Sequence, residues 1–371
     1  MRYTDQVETN SNETGLRIDE ILGPEPLGQL SGLLDRAFGV PPGRRYFDDF
    51  PVWEPTAAIG AGSLLRVGAF DRNRLVSSAC VRIAHLKTPG LDLPIALIGA
   101  VATDEQWRGK GLASQLVELA CDWARENRAA LVMLWGSEHE LYRKLGFELC
   151  GQQIRVPLGA LQLPKSSSGL VQEGWAPGIF SFLRERNGGL RLGDADRTWV
   201  EKHRNVRWYW TGTRDAPLAY AGFGRGIDLH NIVHEWGGEP AQLSAILSRI
   251  QGEFPEATLL ASPIQMNERF GVESGSVSAE TEFLALVRIL DPSRILECWQ
   301  PAPRLTAGLV AEPAGSRQWK LSLPGEQPWI SQERDLPRLL FGPRAGPIGE
   351  APRLFAQYLP FQFWIWGLDA A

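Results

Sequence analysis

Hydrophobic and polar positions fall into blocks along the chain that predict a mixed α/β protein. The apolar runs LPIALIGAVAT and ALVMLWG predict strands that are buried on both faces. Between them, GLASQLVELACDWAREN carries an apolar stripe at helical spacing, which predicts an amphipathic helix. The stripe consists of Leu112, Leu116, Leu119, Ala120 and Trp123. Further strands are predicted around the turn DRNR and over FELCGQQIRVPL, with a short helix over HELYRKLG.

A second strand and helix unit repeats the first. A shift of 125 residues lays residues 131–148 on residues 256–273, and IVHEWGGEPAQLSAILSRI precedes the second copy as strand, glycine turn and helix. In that copy the turn is shorter by about seven residues and lacks the string RGKG. Asn267 stands where the first copy has Tyr142. We interpret the second unit as a duplicated domain that has lost its site.

These patterns predict an α/β fold with a mixed central sheet flanked by helices, present twice and followed by a small C-terminal α+β segment. In that segment LTAGLVAE and RQWKLSLPG predict a hairpin, ERDLPRLLFG a short helix and FQFWIWG a core strand. The predicted parts are a disordered lead over residues 1–15, a first domain over 16–155, a degenerate copy over 176–291 and the C-terminal segment over 297–371.

Composition narrows the class of protein. A chain of 371 residues, 44% hydrophobic and 22% charged, is typical of a soluble globular protein with more than one core. A net charge of −5 gives no field that would attract nucleic acid or an anionic membrane. The N-terminus lacks the apolar core of a signal peptide, and four well-separated cysteines indicate reduced thiols. We therefore expect a cytoplasmic protein with no nucleic-acid or membrane partner.

The string GAVATDEQWRGKGLAS joins a predicted buried strand to a helix through Gly109 and Gly111. The first amides of a helix have no intrahelical partner and lie at the positive end of its dipole. Glycines let such amides converge on an anion, and Arg108 and Lys110 add positive charge. The turn therefore predicts a phosphate site, with a merely tight turn as the alternative.

The string QWRGKGLA resembles the pyrophosphate-binding motif [QR]xxGx[GA] of the GCN5-related N-acetyltransferase (GNAT) family. GAVAT resembles the family's strand along the pantetheine arm, and LYRKLGFE resembles its closing Y-x-x-x-G-F segment. The resemblance covers residues 16–155 and implies a GNAT fold with an acetyl-CoA site. It implies that the cofactor is held by backbone groups of Val101, Thr103, Arg108, Gly109, Lys110, Gly111, Leu112 and Ala113.

The same resemblance makes Tyr142 the acid that protonates the departing thiolate, against the alternative of an ordinary half-buried helix tyrosine. It implies an oxyanion donor at or beside the N–H of Val101, where a strand bulge would make room for the cofactor. Glu105, Glu138, His139 and a water relay all stay open as the general base.

The order of acetyltransferase domain, decayed copy and C-terminal segment resembles the enhanced intracellular survival type of bacterial acetyltransferases. There a C-terminal carboxylate acts as the base, a role that Ala371 could take here, with Asp369 as a neighbouring alternative. The C-terminal segment is only about 75 residues long, which is short for that type.

The resemblance implies transfer of the acetyl group of acetyl-CoA to a primary amine of a small molecule, by direct attack in a ternary complex. The acidic and aromatic stretch RYFDDFPVWEP points to a cationic amine, with a solvated loop as the alternative. A non-catalytic acyl-CoA sensor or assembly module, and a transferase of longer acyl groups, stay open. No metal is expected, because His230 and His234 on one strand lie about 13 Å apart. Since the resembling families often assemble, a homo-oligomer is an open expectation.

Overall fold

The computed structural model describes residues 15–55, 63–88, 91–161, 163, 170–186, 188–271, 279–298, 310–315, 317–322, 325, 327–343, 361 and 363–370. Apart from Gly15, the predicted disordered lead lies outside the described residues.

The first of two large sheets belongs mainly to the first half of the chain. Its strands are β1 (Leu16–Glu20), β2 (Leu64–Asp71), β3 (Arg74–Thr88), β4 (Leu91–Thr103), β5 (Leu131–Leu134), β6 (Glu148–Cys150) and β14 (Ala285–Ile289). They are ordered β1-β2-β3-β4-β5-β14-β6, and only β4 and β5 pair in parallel. The helices of this half are α1 (Pro24–Ala37), α2 (Tyr46–Asp49), α3 (Leu112–Glu126) and α4 (His139–Lys144). The predicted apolar stripe of α3 is buried except for Leu119, which is half-buried.

The second large sheet repeats this architecture. Its strands are β7 (Gln153–Pro157), β8 (Gln172–Glu173), β9 (Arg207–Gly212), β10 (Pro217–Arg225), β11 (Asp228–Gly238), β12 (Thr258–Ala261) and β13 (Glu280–Glu282), in the order β13-β7-β12-β11-β10-β9-β8. Its helices are α5 (Ile179–Glu185), α6 (Arg197–Val200), α7 (Pro240–Glu253) and α8 (Pro263–Phe270). Two mixed sheets flanked by helices confirm the predicted fold class.

The two sheets exchange a strand. β7 follows the first unit in sequence but pairs with β12 and β13 of the second sheet, whereas β14 pairs with β5 and β6 of the first. The prediction of one strand over FELCGQQIRVPL was therefore wrong. Gly151 breaks it with a φ of 70°, in a space where a Cβ atom would lie 2.8 Å from the Phe363 ring. Only glycine allows the chain to turn from one sheet to the other there.

The C-terminal segment contains α9 (Pro292–Cys298), a small sheet of β15 (Val310–Gly315), β16 (Gln318–Ser322) and β17 (Trp329–Gln332), and α10 (Leu336–Phe341). The predicted hairpin and short helix are confirmed, although residues 305–309 of the hairpin lie outside the described residues, and β17 was not predicted. The predicted strand over FQFWIWG was wrong, because residues 363–366 are buried but belong to no strand. Dense apolar sequence predicted their burial correctly but cannot show whether a neighbouring strand is available to pair with them.

The cysteines are free thiols, as predicted. Cys80, Cys121 and Cys150 are buried and Cys298 is half-buried. Burial raises the pKa of each thiol. Within the part of the chain that the structure describes, no helix is both long and apolar enough to cross a bilayer.

Candidate active site

A cleft opens in the first sheet where β4 and β5 separate. Residues 95–97 of β4 pair with residues 131–133 of β5, and beyond this point β4 continues to Thr103 paired with β3 but not with β5. The resulting cavity of about 380 Å³ is lined by residues 98–101 on one side and residues 134–138 on the other. Exposed strand edges on both sides offer backbone groups to an extended ligand.

A bulge in β4 shapes this cleft. The register with β3 shifts between Ser78 and Cys80, so that β4 carries one extra residue. At the bulge Ala100 has a φ of 51°, and Ser78 Oγ donates to its carbonyl oxygen at 2.9 Å. The bulge predicted beside Val101 is therefore present, and Val101 itself lines the cleft.

The glycine turn between β4 and α3 is open and has the geometry that only glycine adopts easily. Gly109 and Gly111 have φ values of 76° and 78°, and a Cβ atom at either would meet nothing within 4 Å. Gly111 is the N-cap of α3, and the Gln115 N–H donates to its carbonyl oxygen at 3.1 Å. The amides of residues 112–114, among them Leu112 and Ala113, precede this bond and are therefore available to an anion.

Neighbouring side chains hold the turn in shape. Asp104 accepts from the Gln106 N–H at 3.3 Å and pairs with Arg74 at 2.6 Å. Arg108 Nε donates to the carbonyl oxygen of Thr103 at 3.4 Å, and Lys110 Nζ lies 3.9 Å from the centre of the Trp107 ring. These contacts keep the two cationic side chains beside the glycines.

Tyr142 lies on α4 in the wall of the cleft. Its side chain is 7% exposed, and its ring meets that of Phe147 edge-on at 6.0 Å. Burial, reinforced by the charge of Glu138, raises its pKa to about 12. The phenol is therefore protonated at neutral pH and can donate to an atom in the cleft.

The candidate general bases differ in their position relative to the cleft. Glu138 lines the cleft, whereas Glu105 and His139 are exposed and are not among its lining residues. Asp369 is buried in an ion pair with Arg186 and is not among the residues that line the cleft. Ala371 lies outside the described residues, while its neighbour Ala370 lines the cleft.

The sequence did not predict how the C-terminal tail, residues 365–370, is anchored beside the cleft. Arg225 donates to the carbonyl oxygens of Gly367 and Ala370, the latter at 2.6 Å. The Leu368 N–H donates to Glu235 at 2.9 Å, and Glu235 in turn pairs with Arg186 at 2.7 Å. The one signal in the sequence was the aromatic run FQFWIWG, which predicts burial but not a location.

The stretch RYFDDFPVWEP contributes aromatic rings to the cleft rather than carboxylates. Tyr46 and Phe50 line it, whereas Asp49 is 1% exposed and accepts from Asn205 and from the Ile227 N–H. Asp48 and Glu54 are likewise bonded to neighbouring arginine or lysine side chains. The charged side chains that do line the cleft are Glu138, Arg155, Arg225 and Asp228.

In the ranges described above, no three His, Cys, Asp or Glu side chains are grouped so as to hold a metal ion. His230 and His234 lie on the strand β11, as predicted. His234 is buried with Nε2 at 2.9 Å from the Gly224 carbonyl oxygen, and burial lowers its pKa to about 4.

Comparison with known families identifies the domain that carries this cleft. The family model described as Acetyltransferase (GNAT) domain matches residues 25–150, which include the bulge, the glycine turn and Tyr142. The chain carries a GNAT acetyltransferase domain. No curated protein matches the sequence.

Solved structures extend the GNAT likeness to the rest of the chain. A GCN5-related N-acetyltransferase from Kribbella flavida is 19% identical, with a TM-score of 0.64 over 96% of this chain and 100% of that one. A conserved protein from Enterococcus faecalis V583 is 14% identical, with a TM-score of 0.61 over 95% and 97%. Eis1 from Mycobacterium abscessus is 12% identical, with a TM-score of 0.53 over 85% of each chain. At these identities the likeness concerns the fold, and at that level it bears out the resemblance to the enhanced intracellular survival type.

Proposed function

We propose that this protein is an N-acetyltransferase that moves the acetyl group of acetyl-CoA to a primary amine of a small molecule. One observation carries the proposal: the protonated Tyr142 and the separated part of β4 line the same cleft, and β4 leads directly into the open glycine turn. A protein that only binds acyl-CoA has no need of a buried acid in the cleft, which favours catalysis.

The residues present fit the cofactor. A diphosphate fits the amides of residues 108–113, because the space in front of Gly109 and Gly111 is open and the flanking side chains are cationic. A pantetheine arm fits the free edge of β4 between Val101 and Thr103. Bound acetyl-CoA supplies the activated thioester, and residues of the chain supply the oxyanion donor, the base and the acid.

Residues of the cleft can stabilise the developing negative charge and carry out both proton transfers of the reaction. The N–H groups at the bulge beside Val101 can hold the thioester carbonyl oxygen as charge develops on it. The attacking amine loses its proton to Glu138, directly or through a water, as its new bond to carbon forms. When the carbon–sulfur bond breaks, the Tyr142 phenol gives its proton to the sulfur.

The cleft also supports an amine with an apolar or aromatic body. Phe38, Tyr46 and Phe50 form one wall, with the Tyr46 and Phe50 rings stacked at 4.7 Å. Glu138 offers negative charge to an ammonium group before it is deprotonated, whereas the Asp228 carboxylate is paired with Arg225.

Mass spectrometry of a mixed amine pool, incubated with acetyl-CoA and the full chain, tests the proposal. We expect an acetylated amine with wild-type protein and little or none with Tyr142→Phe. Tyr209→Phe is the matched control, because Tyr209 is buried in the second sheet away from the cleft. Binding of acetyl-CoA without any acetylated product across a chemically broad pool would contradict the proposal.

A further inference from the structure

The second sheet contains a cavity of its own, of about 550 Å³. β11 and β12 pair only at Ile232 with Thr258 and at Val233 with Leu259. From there to Gly238, β11 is paired with β10 but not with β12. The cavity opens beside this free edge, between Gly237 and Ser262. It therefore occupies the place in the second unit that the active cleft occupies in the first.

This cavity is not built for a phosphorylated cofactor. Only Glu239 separates β11 from α7, whereas residues 104–111 separate β4 from α3. Glu239 is the N-cap of α7 and Pro240 follows it, so the turn offers a carboxylate and one amide fewer. The Glu239 carboxylate would repel a diphosphate. The turn also lacks the glycines that let successive amides converge on one.

Aromatic side chains dominate the lining instead. They are Phe182, Tyr220, Trp236, Phe341, Phe361, Phe363, Trp364 and Trp366. The Trp236 and Trp366 rings lie 5.6 Å apart at 75°, and the Trp364 and Trp366 rings lie 5.8 Å apart at 83°. Walls at nearly right angles present ring faces and ring edges to the same space, which suits a flat aromatic molecule.

Three buried donors at this cavity lack an acceptor among the described residues. They are the Tyr220 hydroxyl, Trp364 Nε1 and Arg186 Nε. Tyr220 is 1% exposed, and burial raises its pKa, so it carries its proton. Buried donors are nearly always paired, and a hydrogen-bond acceptor on a molecule in the cavity would pair them.

The charge around the cavity favours a neutral acceptor over an anion. Arg186 is already paired with Glu235 and Asp369, both fully buried. A further carboxylate would therefore find this guanidinium already paired and would be repelled by the buried Asp369. We propose that this cavity is a second binding site, which takes a neutral, planar aromatic molecule bearing a carbonyl or similar hydrogen-bond acceptor.

The C-terminal tail, together with the two residues that precede it, separates this site from the active cleft. Phe363 and Trp364 line the second cavity, Gly367 and Ala370 line the cleft, and Trp366 lines both. Quenching of tryptophan fluorescence would therefore not tell the two sites apart, so the test relies on variants and on competition.

Titration of the full chain with 7-methoxycoumarin, followed by the probe's own fluorescence, tests the proposal. We expect binding of one equivalent that saturating CoA does not displace. Tyr220→Phe and Trp364→Phe should each weaken it about fivefold to tenfold, the value of one hydrogen bond. Tyr209→Phe, whose hydroxyl donates to Glu253 outside the cavity, should leave the affinity unchanged.

Naphthalene separates donor recognition from simple apolar burial, since it has a similar area and no acceptor. It should bind more weakly than 7-methoxycoumarin, with an affinity that Tyr220→Phe does not change. Displacement of 7-methoxycoumarin by CoA, equal affinities for both probes, or no binding of either would overturn the proposal. Unfolding curves of the two variants confirm that each is folded. Because none of these measurements requires acetyl transfer, a failure of this proposal is distinguishable from a failure of the proposed function.

Discussion

At the scale of single residues, burial gives the same chemical state to two tyrosines for which we propose different functions. Tyr142 and Tyr220 are both buried phenols with raised pKa values. The motif around Tyr142 allowed its role to be predicted, because Tyr142, Gly146 and Phe147 match the Y-x-x-x-G-F segment. Tyr220 has no motif, and its unpaired hydroxyl becomes visible only once the second sheet is folded.

Tyr142→Phe should lower kcat by about 100-fold or more, because the departing thiolate loses its proton donor. CoA affinity should change little, since the backbone of the turn and of β4 holds the cofactor. Steady-state kinetics and calorimetric binding of CoA separate the two effects. A variant with unchanged kcat would show that water or another group is the acid.

The buried Glu235 should make stability depend on pH. Burial raises its pKa from the usual 4.5 to about 7, and the nearby charge of Asp369 acts in the same direction. The folded state therefore retains a proton between about pH 4.5 and 7 that the unfolded state has lost. The stability that Glu235 contributes is complete below pH 4.5 and is lost as the pH rises through 7.

Glu235→Gln removes that titration. The unfolding free energy of wild type minus that of the variant should fall, on the order of 2 kcal/mol, between pH 4.5 and 7.5. Urea denaturation at several pH values measures the difference. Glu253→Gln is the control, because the pKa of Glu253 is lowered and its effect has the opposite sign. A difference that does not vary with pH would contradict the prediction.

At the scale of elements, the sequence predicted those that depend on local pattern and failed where pairing is distant. β4, α3 and the turn between them were predicted because an apolar run, a helical stripe and two glycines are visible within residues 91–126. The exchange of β7 and β14 was not predicted, because their partners lie more than 100 residues away. The only local sign was Gly151, whose left-handed conformation marks the break.

Gly111→Glu should reduce CoA affinity at least about tenfold, because a carboxylate then projects into the anion site. Affinity for pantetheine, which has no diphosphate, should stay the same. Gly39→Glu is the matched control: Gly39 also has a positive φ and open space, but it follows α1 outside the cleft. Equal loss for CoA and pantetheine would indicate a general distortion of the cleft instead.

At the scale of the whole molecule, the exchanged strands join the two sheets into one folding unit. Each sheet closes around a strand that the other half of the chain supplies, so neither half can complete its own sheet. The tail adds a third connection, since Arg225 and Glu235 of the second sheet hold it against the cleft of the first. The site therefore depends on residues throughout the chain, which explains why the first 155 residues alone could not predict all its walls.

Scanning calorimetry should accordingly show one unfolding transition for the whole chain rather than two. Val287 lies in β14, is fully buried and pairs with Met133 of β5 in the first sheet. Val287→Ala should destabilise the protein by about 2 kcal/mol and shift that single transition to lower temperature. Val310→Ala, at an exposed position of the small sheet, should shift it little. Two resolved transitions, of which Val287→Ala moves only one, would contradict the prediction. They would mean that the two sheets unfold separately even though each contains a strand from the other half of the chain.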